Sequence, residues 1–151
     1  GEVVEHLPGR FRRGHADAAS FETVHAILRR GGRLLIYCEG GRSRTGALGE
    51  AKPGVGRAAL ESGVPVVPVA IHGSRGIRGW RRLQFPKITV RFGEPLSFDV
   101  IAEPTREQQL EAAGEIFSHV REMYEELARD GRASVIKRLR EGKTPPAPRY
   151  S

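Results

Sequence analysis

Along the chain, apolar residues alternate between helical spacing and short continuous runs. Phe21, Val24, Ile27 and Leu28 fall on one helical face, with Asp17 or Ser20 placed to cap the start and Gly31-Gly32 to end it. Leu34-Leu35-Ile36-Tyr37-Cys38 is continuously apolar and predicts a strand covered on both faces. Pro53 stands at a first helical position, before an apolar face of Val55, Ala58, Ala59 and Leu60 that Gly63 closes. Val64 to Ile71 predicts a second buried strand with edge or bulge character at Pro65 and Pro68, because proline cannot donate to a ladder. Ile88 to Phe92 alternates as a third strand and is cut by Gly93-Glu94-Pro95. Thr105-Arg106-Glu107-Gln108 has capping-box spacing and opens the longest helix, to Asp130, with a stripe of Leu110, Ala113, Phe117, Val120, Tyr124 and Leu127. A short basic helix is expected near Ala133 to Leu139, and the proline-rich residues 141–151 are expected to form a disordered tail. The order of helix, strand, helix, strand, strand, helix predicts an α/β layered domain over residues 1–140.

Composition narrows the partners. The 151 residues fit a single core, and a net charge of +7 with pI near 10.3 favours an acidic partner: nucleic acid, an anionic membrane or a phosphorylated substrate. Most of the positive charge is arginine, whose planar fork grips phosphate oxygens in pairs. Cys38 is the single cysteine, which excludes an internal disulfide and fits a reducing compartment. No apolar run approaches the roughly 20 residues of a bilayer span, so any membrane contact of this stretch is expected to be peripheral.

The run ending at Cys38 breaks into Glu39-Gly40-Gly41-Arg42-Ser43-Arg44-Thr45-Gly46. Ligands of α/β domains commonly bind just past the carboxyl ends of strands, which is where this loop falls. Its glycines allow a close backbone approach, its arginines offer forked donors and its hydroxyls add further ones, together the parts of a cradle for a phosphate monoester. Glu39 would either hold an arginine in orientation or accept a hydrogen bond from a polyol. The plain alternative is a solvated surface turn. No nucleotide-binding pattern is present, since the loop lacks both Gly-Lys-Ser/Thr and Gly-x-Gly-x-x-Gly.

Tyr37 to Gly46 resembles the Glu-Gly-Thr-Arg-Ser block of the 1-acylglycerol-3-phosphate acyltransferases, with Gly41 in place of the usual threonine. Lys52-Pro53-Gly54 stands at the spacing of that family's Lys-x-Gly, and Val64 to Val69 resembles its Val-Pro-hydrophobic-hydrophobic-Pro block. Phe92-Gly93-Glu94-Pro95 is similar to its Phe-Gly-Glu-Pro, and Arg13-Gly14 lies where its second block would end. The blocks run in the family's order over about residues 9 to 97.

The resemblance implies a glycerolipid acyltransferase-like layered domain with a mixed central sheet flanked by helices. It implies acyl transfer from acyl-CoA or acyl carrier protein to the free hydroxyl of lysophosphatidic acid, giving phosphatidic acid, with no cofactor besides that co-substrate. Arg13, Glu39, Gly40, Gly41, Arg42 and Ser43 would form the phosphate site, and Pro68 would position its strand near the acyl chain. The expected setting is the cytoplasmic face of the cell membrane, held peripherally.

That family's chemistry needs a His-x-x-x-x-Asp motif, the histidine as general base and the aspartate as its orienting partner. Five residues beyond His6, His15, His25, His72 and His119 stand Phe11, Ser20, Arg30, Ile77 and Tyr124. No histidine qualifies, and each reads as structural or solvated. The motif is expected upstream of Gly1 through N-terminal truncation; the alternative is natural loss of the base, leaving a non-catalytic anionic-lipid or phosphate-binding module. Arg75, Arg78, Arg81 and Arg82 around Trp80 suit an anionic headgroup layer, or else a solvated loop with a buried tryptophan. No nucleic-acid motif or metal-ligand spacing accompanies them. Cys38, at the end of an apolar run, reads as a small buried residue and not as a nucleophile.

Overall fold

The computed structural model describes residues 18–40, 47–74 and 87–142. The expected class holds: the chain is mixed α/β, with helices α1 (Ala18–Arg29), α2 (Pro53–Ser62) and α3 (Arg106–Arg140) and strands β1 (Val69–His72) and β2 (Thr89–Phe92). It divides into two compact units, one from residues 1–66 and 95–117, the other from 67–94 and 118–151.

In the first unit the helix ends follow their local chemistry. Gly31 adopts φ 75°, and the Gly31 and Gly32 amides turn back to the carbonyls of Leu28 and Ile27, both at 3.0 Å. That paired closure stops α1 where the two glycines stand. Ser20 lies within α1 and so is not its cap; Asp17 lies outside the described residues. Pro53 opens α2, and Gly63, at φ 64°, ends it by donating to the Ala59 carbonyl at 3.0 Å. Thr105 and Gln108 form the expected reciprocal cap of α3, Thr105 N–H to Gln108 Oε1 at 2.8 Å and Gln108 N–H to Thr105 Oγ1 at 3.3 Å.

The core of this unit is Val55, Ala59, Ala113 and Ile116, with Cys38, Ala51, Val66, Leu96 and Phe98 packed around it. Burial of Ile116 alone contributes about 2–3 kcal/mol. Gly56 lets α2 and α3 touch: a Cβ there would meet the Gln109 carbonyl oxygen and stand 2.8 Å from the Ala113 nitrogen. This contact sets the rotation of α3, which buries Ala112, Ala113, Ile116 and Phe117 and leaves Leu110, expected inside, 42% exposed.

The expected strand Leu34–Cys38 is not observed. Residues 32–37 form no ladder among the described residues, and Leu35 and Tyr37 are 70% and 65% exposed. Apolar character favours a strand, but a strand exists only where a second chain segment accepts and donates its main-chain bonds, which periodicity does not reveal. The Val64–Ile71 run begins instead as a bridge, Val66 exchanging both bonds with Leu96 at 2.8 Å.

In the second unit β1 and β2 pair antiparallel, Val69 with Phe92 and Ala70 with Arg91. One face carries the buried Ala70 together with Arg91 and His72; His72 stacks at a tilt on Tyr124 of α3, ring centres 5.2 Å apart. The Gly93 amide donates to the Pro68 carbonyl at 2.8 Å, and Met123 Sδ lies 3.4 Å from where a Gly93 Cβ would stand. Gly131, at φ 73° and ψ 158°, breaks α3 between Asp130 and Arg132, so the expected short basic helix is its second segment. Arg138 on that segment reaches both Glu126 and Asp130 at 2.6 Å, and Glu126 also binds Arg91. The predicted tail beyond Gly142 lies outside the described residues.

Candidate functional site

The loop nominated by sequence begins in the first unit where the chain leaves Cys38. Gly40 takes φ 67°, and its amide donates to the Tyr37 carbonyl at 2.9 Å, turning the chain sharply. A side chain at Gly40 would be strained at that φ, and its Cβ would press within 3.3 Å of Lys52 Cγ. The Lys52 amide donates to the Cys38 carbonyl at 2.8 Å, so the two ends of the loop are tied by a main-chain bond. A second tie comes from Glu39, whose Oε2 accepts the Gly49 amide at 2.8 Å. The space is tight: a Cβ at Gly49 would stand 3.0 Å from that oxygen.

Glu39 therefore closes the neck of residues 40–48, a role the sequence reading, which offered an arginine or a polyol as partner, did not include. Its signal was a glycine ten residues on, which no local motif marks. The loop leads directly into α2, whose N-terminus presents main-chain amides and the positive end of the helix dipole. Cys38 sits against the core, and burial first, then Glu39, pushes its thiol above the ordinary value despite a main-chain hydrogen bond. It is half-buried, not the fully buried residue expected, but its raised pKa keeps it protonated and poor as a nucleophile.

Of the remaining site residues, Arg13, Gly41, Arg42 and Ser43 lie outside the described residues. The structure brings Glu39 and Gly40 together with Gly49 and Lys52. Pro68 is buried in the second unit, where its carbonyl holds Gly93.

One polar cluster escaped the sequence reading. His25 of α1 and Arg57 of α2 converge on Glu61, with His25 Nε2 at 2.6 Å from Oε2 and Arg57 Nε at 2.7 Å from Oε1. Burial alone would raise the Glu61 carboxyl, but hydrogen bonds from Arg57 and His25 outweigh it and hold the group below its ordinary value. Arg57 and Glu61 are one helical turn apart, a visible pair, whereas His25 joins across 36 residues. These side chains line an open depression of about 650 Å³ with Arg29, Glu103, Pro104 and Gln109. Among the described residues no group of acidic, histidine and cysteine side chains could hold a metal ion, and no helix is long and apolar enough to cross a membrane.

Comparison with known proteins adds to this geometry. Residues 4–72 match the family model described as Acyltransferase. A probable 1-acyl-sn-glycerol-3-phosphate acyltransferase of Mycoplasma pneumoniae is 29% identical over 119 residues, covering 75% of this chain and 45% of that protein. A 1-acyl-sn-glycerol-3-phosphate acyltransferase of Cocos nucifera is 29% identical over 116 residues, 74% of this chain and 37% of that protein. A probable enzyme of the same name from Mycoplasma genitalium is 37% identical over 59 residues, 39% of this chain and 22% of that protein. The chain thus spans less than half the length of these relatives. No solved structure matches it.

Proposed function

We propose that this chain, whose residues 4–72 match the Acyltransferase family model, supplies the phosphate-binding half of an enzyme that acylates the free hydroxyl of 1-acyl-glycerol 3-phosphate to give phosphatidic acid. The acyl donor is acyl-CoA or acyl carrier protein, and no further cofactor takes part. The observation that carries the reading is the closed neck of the Glu39 loop: Glu39 to Gly49, and Cys38 to Lys52, both at 2.8 Å. A glycine-rich, arginine-bearing segment whose two ends are tied together ahead of a helix N-terminus is suited to meet a phosphate, because the loop-closure cost is already met at its neck.

In this reading Arg42, with Arg13, takes the phosphate oxygens in forked charge-assisted bonds. Gly40, Gly41 and Ser43 give main-chain and hydroxyl donors, Glu39 holds the neck, and Pro68 positions its strand beside the acyl chain. A His-x-x-x-x-Asp pair outside these 151 residues supplies the general base, since the sequence contains none. Residues 1–140 form the domain, and 141–151 a tail. The site works at the cytoplasmic face of the membrane, held peripherally.

The test is Arg42→Ala in the complete protein. Acceptor KM should rise by about 10- to 100-fold, the loss expected of a charge-assisted pair, with donor KM little changed. Unchanged acceptor kinetics would refute the cradle. A second reading is a non-catalytic phosphate or anionic-lipid binder that uses the same loop. Turnover by the complete protein that is lost when an upstream motif histidine is changed to alanine excludes that reading, and phosphate binding without any turnover establishes it.

A further inference from the structure

We infer that the depression lined by α1, α2 and residues 102–104 is a second anion subsite, one that takes a zwitterionic phosphate ester, a phosphate with an ammonium group beside it. Arg57 is fixed on two sides: its Nε is bound to Glu61 at 2.7 Å, and its guanidinium lies 4.1 Å over the ring of the buried Phe21. Its terminal nitrogens have no partner among the described residues, and the residue lines the depression. A fork held this way loses little freedom on meeting an anion.

Arg29, exposed and without an ion pair among the described residues, lines the same space from α1. His25, whose Nε2 is bound to Glu61, also lines the depression. Both oxygens of Glu61 are occupied by Arg57 and His25, so its charge is largely answered within the protein. Glu103 is the exposed carboxylate at the rim. It would repel a bare phosphate dianion and attract a cation beside the phosphate, and this selects the zwitterion.

This subsite is separate from the Glu39 loop. The loop leads into the N-terminus of α2, whereas Glu61 lies eight residues further, about 12 Å along the helix. The inference therefore does not depend on the acyltransferase reading.

The probes are phosphoethanolamine, inorganic phosphate and ethanolamine, each titrated into the full chain while the His25 imidazole resonances are followed by NMR. Phosphoethanolamine should shift them saturably, phosphate more weakly and ethanolamine not at all. Arg29→Gln, a surface change that leaves the Glu61 pairs intact, should weaken phosphoethanolamine by about 10-fold at an unchanged urea midpoint. Glu103→Gln should narrow the preference over phosphate.

No His25 response up to tens of millimolar overturns the proposal, as does a response that Arg29→Gln leaves unaltered. A response abolished by Arg42→Ala also overturns it, because the ligand would then sit in the Glu39 loop. Vesicles of phosphatidylethanolamine in phosphatidylcholine identify the source. If they compete with the soluble probe, the ligand is a membrane headgroup; if they do not, it is a free phosphate ester.

Discussion

Gly56→Ala and Gly114→Ala are the same chemical change on helices of the same unit, and the structure gives them opposite signs. In an unconstrained helix interior, glycine to alanine stabilises by about 1 kcal/mol because the unfolded chain loses freedom. At Gly114, on the exposed side of α3, nothing lies within 4 Å of the added methyl, so this gain should appear in full. At Gly56 the methyl would stand 2.8 Å from the Ala113 nitrogen and closer still to the Gln109 carbonyl oxygen. Both are main-chain atoms of α3 and cannot rotate away. Relief requires α2 and α3 to part, at the place where Val55, Ala59, Ala113 and Ile116 pack. Overpacking costs about 1–3 kcal/mol, and a rigid collision belongs at the upper end. Subtracting the helix gain leaves Gly56→Ala destabilised by about 2 kcal/mol. Urea unfolding followed by far-UV circular dichroism reads both variants against the parent. Equal stabilities for the two, or a Gly56→Ala midpoint above the parent's, would refute the α2–α3 contact.

Other consequences are open to the same assay. Glu126 is 3% exposed between Arg91 and Arg138, and Glu126→Ala should cost about 3 kcal/mol by leaving a half-buried arginine unanswered. Burial opposes the Glu126 charge, but bonds from Arg91 and Arg138 hold its carboxyl below the ordinary 4.5. Its stabilisation is therefore fully present above that value and is lost as pH falls through the lower folded value. The gap between parent and Glu126→Ala should accordingly be widest near neutral pH and narrow as the solution is acidified below the ordinary carboxylate range; a gap independent of pH would count against the ion pairs. Thr105→Ala removes one half of the α3 cap and should lower stability by about 1 kcal/mol, while Thr105→Ser should cost little. Glu39→Gln keeps an oxygen for the Gly49 amide, so amide exchange at Gly49 should stay slow, whereas Glu39→Ala should speed it. Equal exchange in the two variants would show that the carboxylate does not close the loop.

What the sequence made legible is what the chain decides within a few residues. The closure of α1 at Gly31-Gly32, the opening and end of α2 at Pro53 and Gly63, and the Thr105–Gln108 cap each need a backbone angle or a side-chain oxygen at a fixed short offset. The division of α3 at Gly131 was legible for the same reason. Leu34–Cys38 failed because its apolar run states a preference, while the ladder that would make it a strand depends on a distant segment. Leu110 was misplaced because the close approach at Gly56 sets which side of α3 faces inward. Glu61 finds His25, Glu126 finds Arg91 and Glu39 finds the Gly49 amide at separations that no local pattern encodes. Of the candidate site, the sequence supplied the loop's chemistry and position, and the structure supplied the closure of its neck.

The carboxylates that hold this basic chain together do so in two ways. Glu61 binds His25 and Arg57, Glu126 binds Arg91 and Arg138, and Asp130 binds Arg129 and Arg138, so each answers more than one basic side chain. Glu39 instead accepts a neutral main-chain amide. Its negative charge is thus fixed in place at the neck of a segment that carries Arg42 and Arg44 in sequence, with no cation among the described residues to answer it. A carboxylate anchored by a neutral donor can hold the loop closed and still attract an arginine. The orienting role read from the sequence and the closing role read from the structure therefore do not compete. An arginine drawn toward Glu39 would be ordered before any phosphate arrived, which lowers the entropic cost of gripping it.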